Sequence, residues 1–280
     1  MLSPTFRPLS LITSKIGNLL NFLKGRQKDE VRYTMSENNV NYKRILVIGD
    51  IHGHYTKFKS LYNKLNVSDD DLVIFLGDYI DRGPENLLMI RWIMRESQND
   101  NIIALRGNHE QMMIDCVRNG DINWIFNGGN ETAKEIKSKL KDHPNLMTEV
   151  VEFAESLPLF YRRKINGQDY FFCHAGVDPK IPLEEQTATS LLWIREDFFN
   201  HYNGETVIVV GHTPLLLLNP EGSLKTWRKD YQKVAFLKNI KPQWRRNNKI
   251  LLMDTGSYFP NGCISCMDMI SGELWQSDDD

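Results

Sequence analysis

The chain has 280 residues, of which 41% are hydrophobic and 25% charged, a composition typical of a soluble globular protein with a substantial core. The formal charge of −2 gives no reason to expect nucleic acid as a partner. No apolar run approaches the roughly 20 residues of a transmembrane helix, so no membrane-spanning segment is predicted. Four cysteines are sparse for this length and favour free thiols, which predicts a reducing, cytoplasmic location.

The first 42 residues differ from the rest and are predicted to form a flexible extension. Prolines and polar runs interrupt this segment, and 1–44 contains eight basic but only three acidic residues. Apolar residues between Ile12 and Leu23 recur at helical spacing, so a short basic helix in weak contact with a membrane surface is the alternative. A folded domain is predicted to span residues 43–276.

From Lys43 onward, short apolar runs alternate with segments of helical periodicity. Strands are predicted over Arg44–Ile48, Asp71–Leu76 and Asn101–Leu105, and helices over Tyr55–Leu65, from Pro84 through Met94, and through Met112, Met113 and Val117. This alternation indicates an α/β arrangement around a central sheet.

The second half is richer in strands. A helix is predicted over Leu146–Leu157, and strands over Phe160–Ile165, Asp169–Cys173, Thr206–Val210, Lys249–Met253 and Gly262–Ile270. Residues 119–142 are polar and punctuated by glycine. Helices first and strands later favour two packed sheets with helices outside, an α+β sandwich.

Five predicted strands are followed at once by motifs that combine glycine with aspartate, asparagine or histidine. These are Gly49-Asp50-Ile51-His52-Gly53, Gly77-Asp78-Tyr79-Ile80-Asp81-Arg82-Gly83, Gly107-Asn108-His109-Glu110, His174-Ala175-Gly176 and Gly211-His212-Thr213-Pro214. Ligands bind at the carboxyl ends of strands in α/β sheets, so the five loops are expected to converge. Carboxylates and imidazoles suit divalent metals such as manganese, iron and zinc. Two such ions roughly 4 Å apart stabilise both oxygens of a phosphoryl displacement.

Taken singly, these residues have ordinary structural explanations. Asp78 fits a helix cap, Asn108 a left-handed turn, and His174 a core histidine. Five such loops, each at the end of a strand, favour the joint catalytic interpretation. The pair Cys263 and Cys266 is a weaker metal candidate, since positions i and i+3 of a strand face opposite sides.

As a set, the motifs G-D-x-H-G, G-D-x-x-D-R-G, G-N-H-E, H-A-G and G-H-T-P resemble the calcineurin-like metallophosphoesterases. Within that family the chain looks like the serine/threonine protein phosphatases of bacteria and bacteriophage. The resemblance covers about residues 43–275 and implies two packed mixed sheets flanked by helices. It also implies two divalent transition-metal ions as cofactors, with manganese expected and iron or zinc as alternatives.

The resemblance assigns metal ligands residue by residue. Asp50 and His52 correspond to ligands of the first ion, Asp78 to the bridging ligand, and Asn108, His174 and His212 to ligands of the second ion. His54 and Glu110 lie in the same motifs but receive no ligand role.

The resemblance also assigns the groups that handle the substrate. His109 corresponds to the general acid, and Asp81 to the carboxylate that orients it. Arg82 matches a phosphate-binding arginine. A second phosphate-binding arginine is assigned to Arg195. This assignment rests on a shorter motif, which the segment Leu191-Leu192-Trp193-Ile194-Arg195 resembles.

The predicted function is therefore hydrolysis of a phosphomonoester by water activated at two metal ions, with a phosphoprotein or phosphopeptide as substrate. Symmetric diadenosine tetraphosphate hydrolases on the same scaffold typically have alanine at the position of Asp81 and G-N-H-D in place of G-N-H-E. Both positions favour a protein phosphatase. An inactive binding protein is disfavoured because every expected position is filled. A nuclease is disfavoured because an arginine clamp suits a terminal phosphate.

A basic segment over residues 214–249 keeps a dinucleoside polyphosphate open as substrate. It contains nine basic and two acidic residues, and four aromatic residues are interleaved with them: Trp227, Tyr231, Phe236 and Trp244. Aromatic rings among cations can stack a base and neutralise a polyphosphate. A solvated loop is the simpler interpretation.

Overall fold

The computed structural model describes residues 34–35, 41–218 and 240–278. The strands are β1 Thr34–Met35, β2 Arg44–Ile48, β3 Asp71–Phe75, β4 Ile102–Ala104, β5 Phe160–Ile165, β6 Gln168–Cys173, β7 Val207–Val210, β8 Gln243–Arg245, β9 Ile250–Leu252, β10 Ser265–Asp268 and β11 Leu274–Gln276. The α-helices are α1 Tyr55–Leu65, α2 Asn86–Glu96, α3 Asn108–Asn119, α4 Asn130–Lys139, α5 Leu146–Ser156, α6 Ala188–Trp193 and α7 Glu196–His201. A kinked turn, Ile125–Gly129, precedes α4; within it Asn127 and Gly128 have non-helical backbone angles, with φ of −100° and 105°. Turns of 3₁₀ type occur at Leu183–Glu185 and Leu215–Leu217.

The strands form two mixed sheets. The first has the order β11-β10-β2-β3-β4, and the second has the order β1-β5-β6-β7-β9-β8. In the first sheet β2, β3 and β4 run parallel, and Phe75 pairs with both Ile48 and Ala104. In the second, β6, β7 and β9 run parallel, and Val209 pairs with Phe172 and Leu251. Each sheet therefore brings the carboxyl ends of three parallel strands to one edge.

Side chains on β2 alternate between two layers of core, as expected of a strand buried on both faces. Ile45 and Val47 pack between the sheets with residues of the second sheet such as Val209. Leu46 and Ile48 point to the other side and pack with α1 to α5. Helices α6 and α7 cover the outer face of the second sheet. The predicted fold of two packed mixed sheets flanked by helices is confirmed.

Most predicted elements differ from the observed ones by a residue or two at an end, and three differences have a visible cause. The helix after Pro84 begins at Asn86, where the Glu135 carboxylate of α4 accepts the backbone N–H groups of Asn86 and Leu87 at 3.0 and 2.8 Å. The predicted strand 262–270 shortens to β10, because the residues before it form a loop whose Gly262 carbonyl accepts a hydrogen bond from Lys57. The polar segment 119–142, where no element was predicted, contains α4, of which only Thr132 and Ile136 are buried.

Several predictions fall on residues outside the described ranges. The apolar residues between 12 and 23 and the proposed membrane contact are among them, as are Trp227, Tyr231 and Phe236 of the basic segment. Thr34–Met35, from the predicted extension, pairs in parallel with β5 at the sheet edge. No helix in the described part of the chain is both long and apolar enough to span a bilayer. All four cysteines are buried free thiols, as predicted.

Candidate dinuclear metal site

The two sheet edges meet, and the loops that follow five strands come together there. All six predicted metal ligands are buried: Asp50, His52, Asp78, Asn108, His174 and His212. They are 0 to 4% exposed, although every one is polar. Polar side chains that are buried together need hydrogen-bond partners, and charged side chains among them need an opposite charge nearby.

Asp78 lies between two groups of ligand atoms. Its Oδ2 is 3.5 Å from His52 Nε2, and its Oδ1 is 3.4 Å from His174 Nε2. Asp50 lies on the His52 side, where its Oδ2 is 3.9 Å from His52 Nε2. Asp78 would therefore be able to contribute one oxygen to each of two ions.

The second group is tighter than the first. Asn108 Oδ1 lies 2.8 Å from His174 Nε2 and 2.7 Å from His212 Nδ1. The ligand atoms of Asp78, His174 and His212 all lie within 4.8 Å of one another. The same holds for His52, Asp78 and His109, so geometry alone makes His109 a further candidate ligand.

Backbone groups orient two of the histidines. His52 Nδ1 donates to the Ile80 carbonyl at 3.2 Å, and His174 Nδ1 donates to the Leu76 carbonyl at 2.8 Å. Each bond places the proton on Nδ1 and turns Nε2 into the site, as is usual for metal-binding histidines.

The site is built on unusual backbone. Half of the ten described non-glycine residues with positive φ belong to it: His52, Asp78, Asp81, Arg82 and His212. Such conformations cost energy and cluster at functional sites. Gly211 permits the closest approach, since a Cβ there would lie 2.0 Å from Asp50 Oδ1. That contact lets both Asp50 oxygens accept the His212 backbone N–H at 3.1 and 3.0 Å.

The electrostatics of the site favour a cation. Burial and the nearby Asp254 carboxylate raise the pKa of Asp50 well above its usual value. Burial alone would lower the pKa of His174, but Asp78 and Asp50 raise it to about 9. Burial also opposes ionisation of Asp78, yet the charges of His174 and His109 hold its pKa well below the usual value. Positive charge is therefore stabilised at the point where the ligand atoms meet.

The remaining two histidines are kept neutral. Burial and then Arg82 lower the pKa of His52, while burial and then Arg195 lower that of His212. Neutral imidazole is the form that binds a metal. Together with buried carboxylate and amide oxygens, this donor set fits a pair of transition-metal ions.

His109 stands between the metal ligands and Asp81. Its Nδ1 donates to Asp81 Oδ2 at 2.7 Å, and its Nε2 lies 4.0 Å from Asp78 Oδ2. The ring is 1% exposed, so its orientation is set by the protein. The predicted pairing of His109 with Asp81 is present.

Two guanidinium groups flank the site. Arg82 Nη1 donates to His52 Nε2 at 2.9 Å, and its guanidinium lies 4.4 Å from the centroid of the Tyr258 ring. Arg195 Nη1 donates to Thr213 Oγ1 at 2.8 Å and to the His212 carbonyl at 3.2 Å. The structure thus brings together all ten residues predicted for the site.

Sequence reasoning missed the role of Glu110. Its carboxylate accepts the backbone N–H groups of Asp78 and Tyr79 at 2.9 Å and that of Gly107 at 3.0 Å. These bonds join the loop after β3 to the loop after β4. Burial and the Asp78 carboxylate raise the pKa of Glu110 to about 8. Its place directly after Asn108 and His109 was the available signal.

Asp254 was missed as well. It follows β9, and its Oδ1 accepts the Gly256 backbone N–H at 2.9 Å, while its buried Oδ2 has no hydrogen-bond partner among the described residues. Burial raises its pKa to about 6, and its charge interacts with Arg82 and Arg195. Met253-Asp254-Thr255-Gly256 repeats the pattern of a strand followed by aspartate and glycine, so the sequence did contain a signal.

Similar folds occur in solved structures whose sequences are only distantly related. A putative diadenosine tetraphosphatase matches with a TM-score of 0.60 and 16% identity, covering 89% of this chain and 99% of its own. A serine/threonine phosphatase from Saccharomyces cerevisiae matches with a TM-score of 0.57 and 16% identity, covering 99% of this chain and 91% of its own. These matches support the fold of two sheets flanked by helices.

Relatives with curated names divide between two activities. Serine/threonine-protein phosphatase 2 of Salmonella typhimurium is 35% identical over 58% of this chain and 73% of its own length. An asymmetrical bis(5′-nucleosyl)-tetraphosphatase of Oceanobacillus iheyensis is 26% identical over 62% of this chain and 78% of its own length. A model of the calcineurin-like phosphoesterase family matches residues 43–253, which include all ten residues predicted for the site. The chain belongs to the calcineurin-like phosphoesterases.

Proposed function

We propose that the chain is a metal-dependent phosphomonoester hydrolase that acts on phosphoserine and phosphothreonine in proteins. The observation that carries this proposal is the 2.7 Å hydrogen bond between His109 and Asp81. A protonated His109 would face the departing oxygen from the side opposite Asp81. A serine or threonine alkoxide is a poor leaving group and depends on such an acid.

The metal ligands supply the other half of the chemistry. Two divalent ions held by Asp50, His52, Asp78, Asn108, His174 and His212 would provide Lewis acidity and water with a pKa close to neutrality. The chain's own contribution is to fix these donors with backbone hydrogen bonds and to exclude bulk water from them. Manganese is the ion we expect, with iron or zinc as alternatives.

The arginines support a monoester substrate. A terminal phosphate has three non-bridging oxygens, and planar guanidinium groups bind such oxygens in pairs. Arg82 and Arg195 lie on different loops beside the metal ligands, so together they would hold the phosphate from two sides. Their charges would also offset that of the dianion.

Hydrolysis of a dinucleoside tetraphosphate is the second candidate, favoured by the named relatives that act on such compounds. The basic segment offers some support, since Trp244 on β8 is 40% exposed. A nucleotide is a better leaving group than an alkoxide, and its departure needs less protonation. The Asp81–His109 pair is therefore better explained by a phosphoprotein substrate.

A side-by-side assay tests the proposal. The manganese-loaded protein would be given phosphoserine, phosphothreonine and phosphotyrosine peptides and, separately, diadenosine tetraphosphate. We expect kcat/KM on the serine and threonine peptides to exceed that on the dinucleotide. Dominant cleavage of the dinucleotide would contradict the proposal. Two ADP would then indicate symmetric cleavage, and ATP with AMP asymmetric cleavage.

The variant Asp81→Ala provides the matched control. It disorients His109 but leaves the proposed metal ligands untouched, so peptide hydrolysis should fall more than any residual cleavage of the dinucleotide. An equal loss on both substrates would mean that Asp81 does not serve the protonation of an alkoxide.

A further inference from the structure

Asp81 is held at more points than the single bond to His109. It is completely buried, and its backbone has a φ of 74°. Besides His109, its Oδ2 accepts the indole N–H of Trp124 at 2.9 Å. Its Oδ1 accepts the hydroxyl of Thr132 at 2.6 Å, and that hydroxyl in turn accepts the Asp81 backbone N–H at 3.2 Å. Both carboxylate oxygens therefore have a fixed donor in addition to the histidine.

Trp124 and Thr132 come from the polar segment in which the sequence indicated no element. They flank the kinked turn Ile125–Gly129, in which the Gly128 backbone has a φ of 105°. Both side chains are buried, at 2 and 0% exposure. The indole packs directly against Gly129, where a Cβ would come within 2.4 Å of the indole nitrogen. This close packing restricts the ring whose N–H donates to Asp81.

Helix α4 keeps Thr132 in place. Ile136 on the same helix is completely buried in the core beneath α1 to α5. Glu135 binds the first backbone N–H groups of α2, so α4 is anchored to a neighbour that itself packs on the first sheet. The Thr132 hydroxyl is consequently a rigid donor rather than a mobile one.

A carboxylate that met His109 alone could rotate about its side-chain bonds and turn the imidazole with it. Two further donors remove that freedom and compensate the buried charge, because hydrogen bonds to an ionised group strengthen in a low dielectric. A general acid must stay within about 0.5 Å and 10–20° of its productive geometry. The orientation of His109 therefore depends on residues that do not touch the substrate.

We propose that Trp124 and Thr132 are positioning residues that act on the substrate through Asp81 and His109. This inference rests on the proposed function only in taking His109 as the general acid. It does not depend on whether the natural substrate is a protein or a dinucleotide.

Two esters with different leaving groups test it. Phenyl phosphate releases a poor leaving group that needs protonation, while 4-nitrophenyl phosphate releases a better one. Thr132→Val removes the hydroxyl with little change in volume, and Thr132→Ser retains it. We expect Thr132→Val to lower kcat about 10-fold or more on phenyl phosphate, because part of the contribution of the general acid would be lost. On 4-nitrophenyl phosphate, which needs less protonation, we expect kcat to fall about 2-fold. Thr132→Ser should restore the wild-type ratio of the two rates.

Trp124→Phe is the second variant, since it retains an aromatic ring but loses the N–H. It should shift the ratio in the same direction. Trp92→Phe is its control: Trp92 is also buried, packed at 4.6 Å on Phe58, and should lose stability without shifting the ratio. In His109→Asn, adding Thr132→Val should cost nothing more, because the group through which Thr132 acts is gone.

The outcomes separate this inference from the proposed function. A folded Thr132→Val and a folded Trp124→Phe that lose both activities equally, or neither, would overturn the positioning role. Additive losses in the His109→Asn background would do the same. A wild-type protein that hydrolyses neither ester would overturn the proposed phosphomonoesterase, and this inference with it.

Discussion

Replacing His109 by asparagine separates two roles that the geometry of the site permits. His109 Nε2 lies 4.0 Å from Asp78 Oδ2, close enough for the ring to join His52 and Asp78 as a metal ligand. Its Nδ1 is held by Asp81 at 2.7 Å, which suits a general acid. In His109→Asn the amide is shorter than imidazole and cannot deliver a proton, whereas the six proposed ligands remain.

The expected loss follows from the acid role. General-acid catalysis contributes about 10² to 10⁴ in rate, which corresponds to about 3 to 5 kcal/mol of transition-state stabilisation. We expect kcat on a phosphoserine peptide to fall by that factor, with a smaller fall on 4-nitrophenyl phosphate. Metal content, measured by inductively coupled plasma mass spectrometry after dialysis, should remain two ions per chain.

His174→Asn serves as the comparison, because His174 belongs to the proposed ligand set. It should lose metal as well as activity. If His109→Asn retains only one ion, His109 is a ligand and its assignment as acid is wrong. If it retains two ions and near-wild-type activity, His109 has no part in the mechanism.

Three other predictions concern the ion pair at the start of the first sheet, the metals and the phosphate clamp. The Asp71 carboxylate accepts two hydrogen bonds from Arg44, at 2.8 and 2.6 Å, and these bonds lower the pKa of Asp71. The stability that the pair adds is therefore fully present above the pKa of about 4 that Asp71 has in the unfolded chain. It is lost as the pH falls through the lower pKa of the folded state. Asp71→Asn should therefore lower the free energy of unfolding at pH 7, measured by urea denaturation, by about 1 to 3 kcal/mol. The difference in unfolding free energy between variant and wild type should narrow below about pH 4. A difference that does not depend on pH would refute the linkage. Removal of metal by a chelator should lower the melting temperature, and added manganese should restore it. The reason is that an ion bound only by the folded state adds about 2.7 kcal/mol to the free energy of unfolding at a free-ion concentration of 100 Kd. A melting temperature in the calorimeter that does not change with chelator would argue against metal binding. Arg82→Lys should reduce kcat/KM about 10-fold through loss of paired hydrogen bonds and of stacking on Tyr258, and full activity of the lysine variant would remove Arg82 from the clamp.

Much of the first half of the fold could be predicted because its elements are locally encoded. The structure has the predicted bounds for Arg44–Ile48 and Tyr55–Leu65, where β-branched runs and helical periodicity are unambiguous. Helix α4 was not predicted because its sequence lacks such a local signal. Of its ten residues only Thr132 and Ile136 are buried, which is too little to produce an apolar stripe.

The sequence by itself determined ten of the residues that meet at the site, although it did not single out Glu110 or Asp254. A ligand type placed directly after a parallel strand is carried to the common edge of the sheet whatever the rest of the chain does, so Asp50, Asp78 and Asn108 could be identified by position. Only the tertiary structure decided how those residues are held. Trp124 and Thr132 reach Asp81 across 43 and 51 residues of chain, through a kinked turn and a polar helix that have no local signature. Orientation of a buried side chain depends on such distant donors, because a hydrogen bond is directional and the spacing of residues along a strand specifies only where a side chain starts.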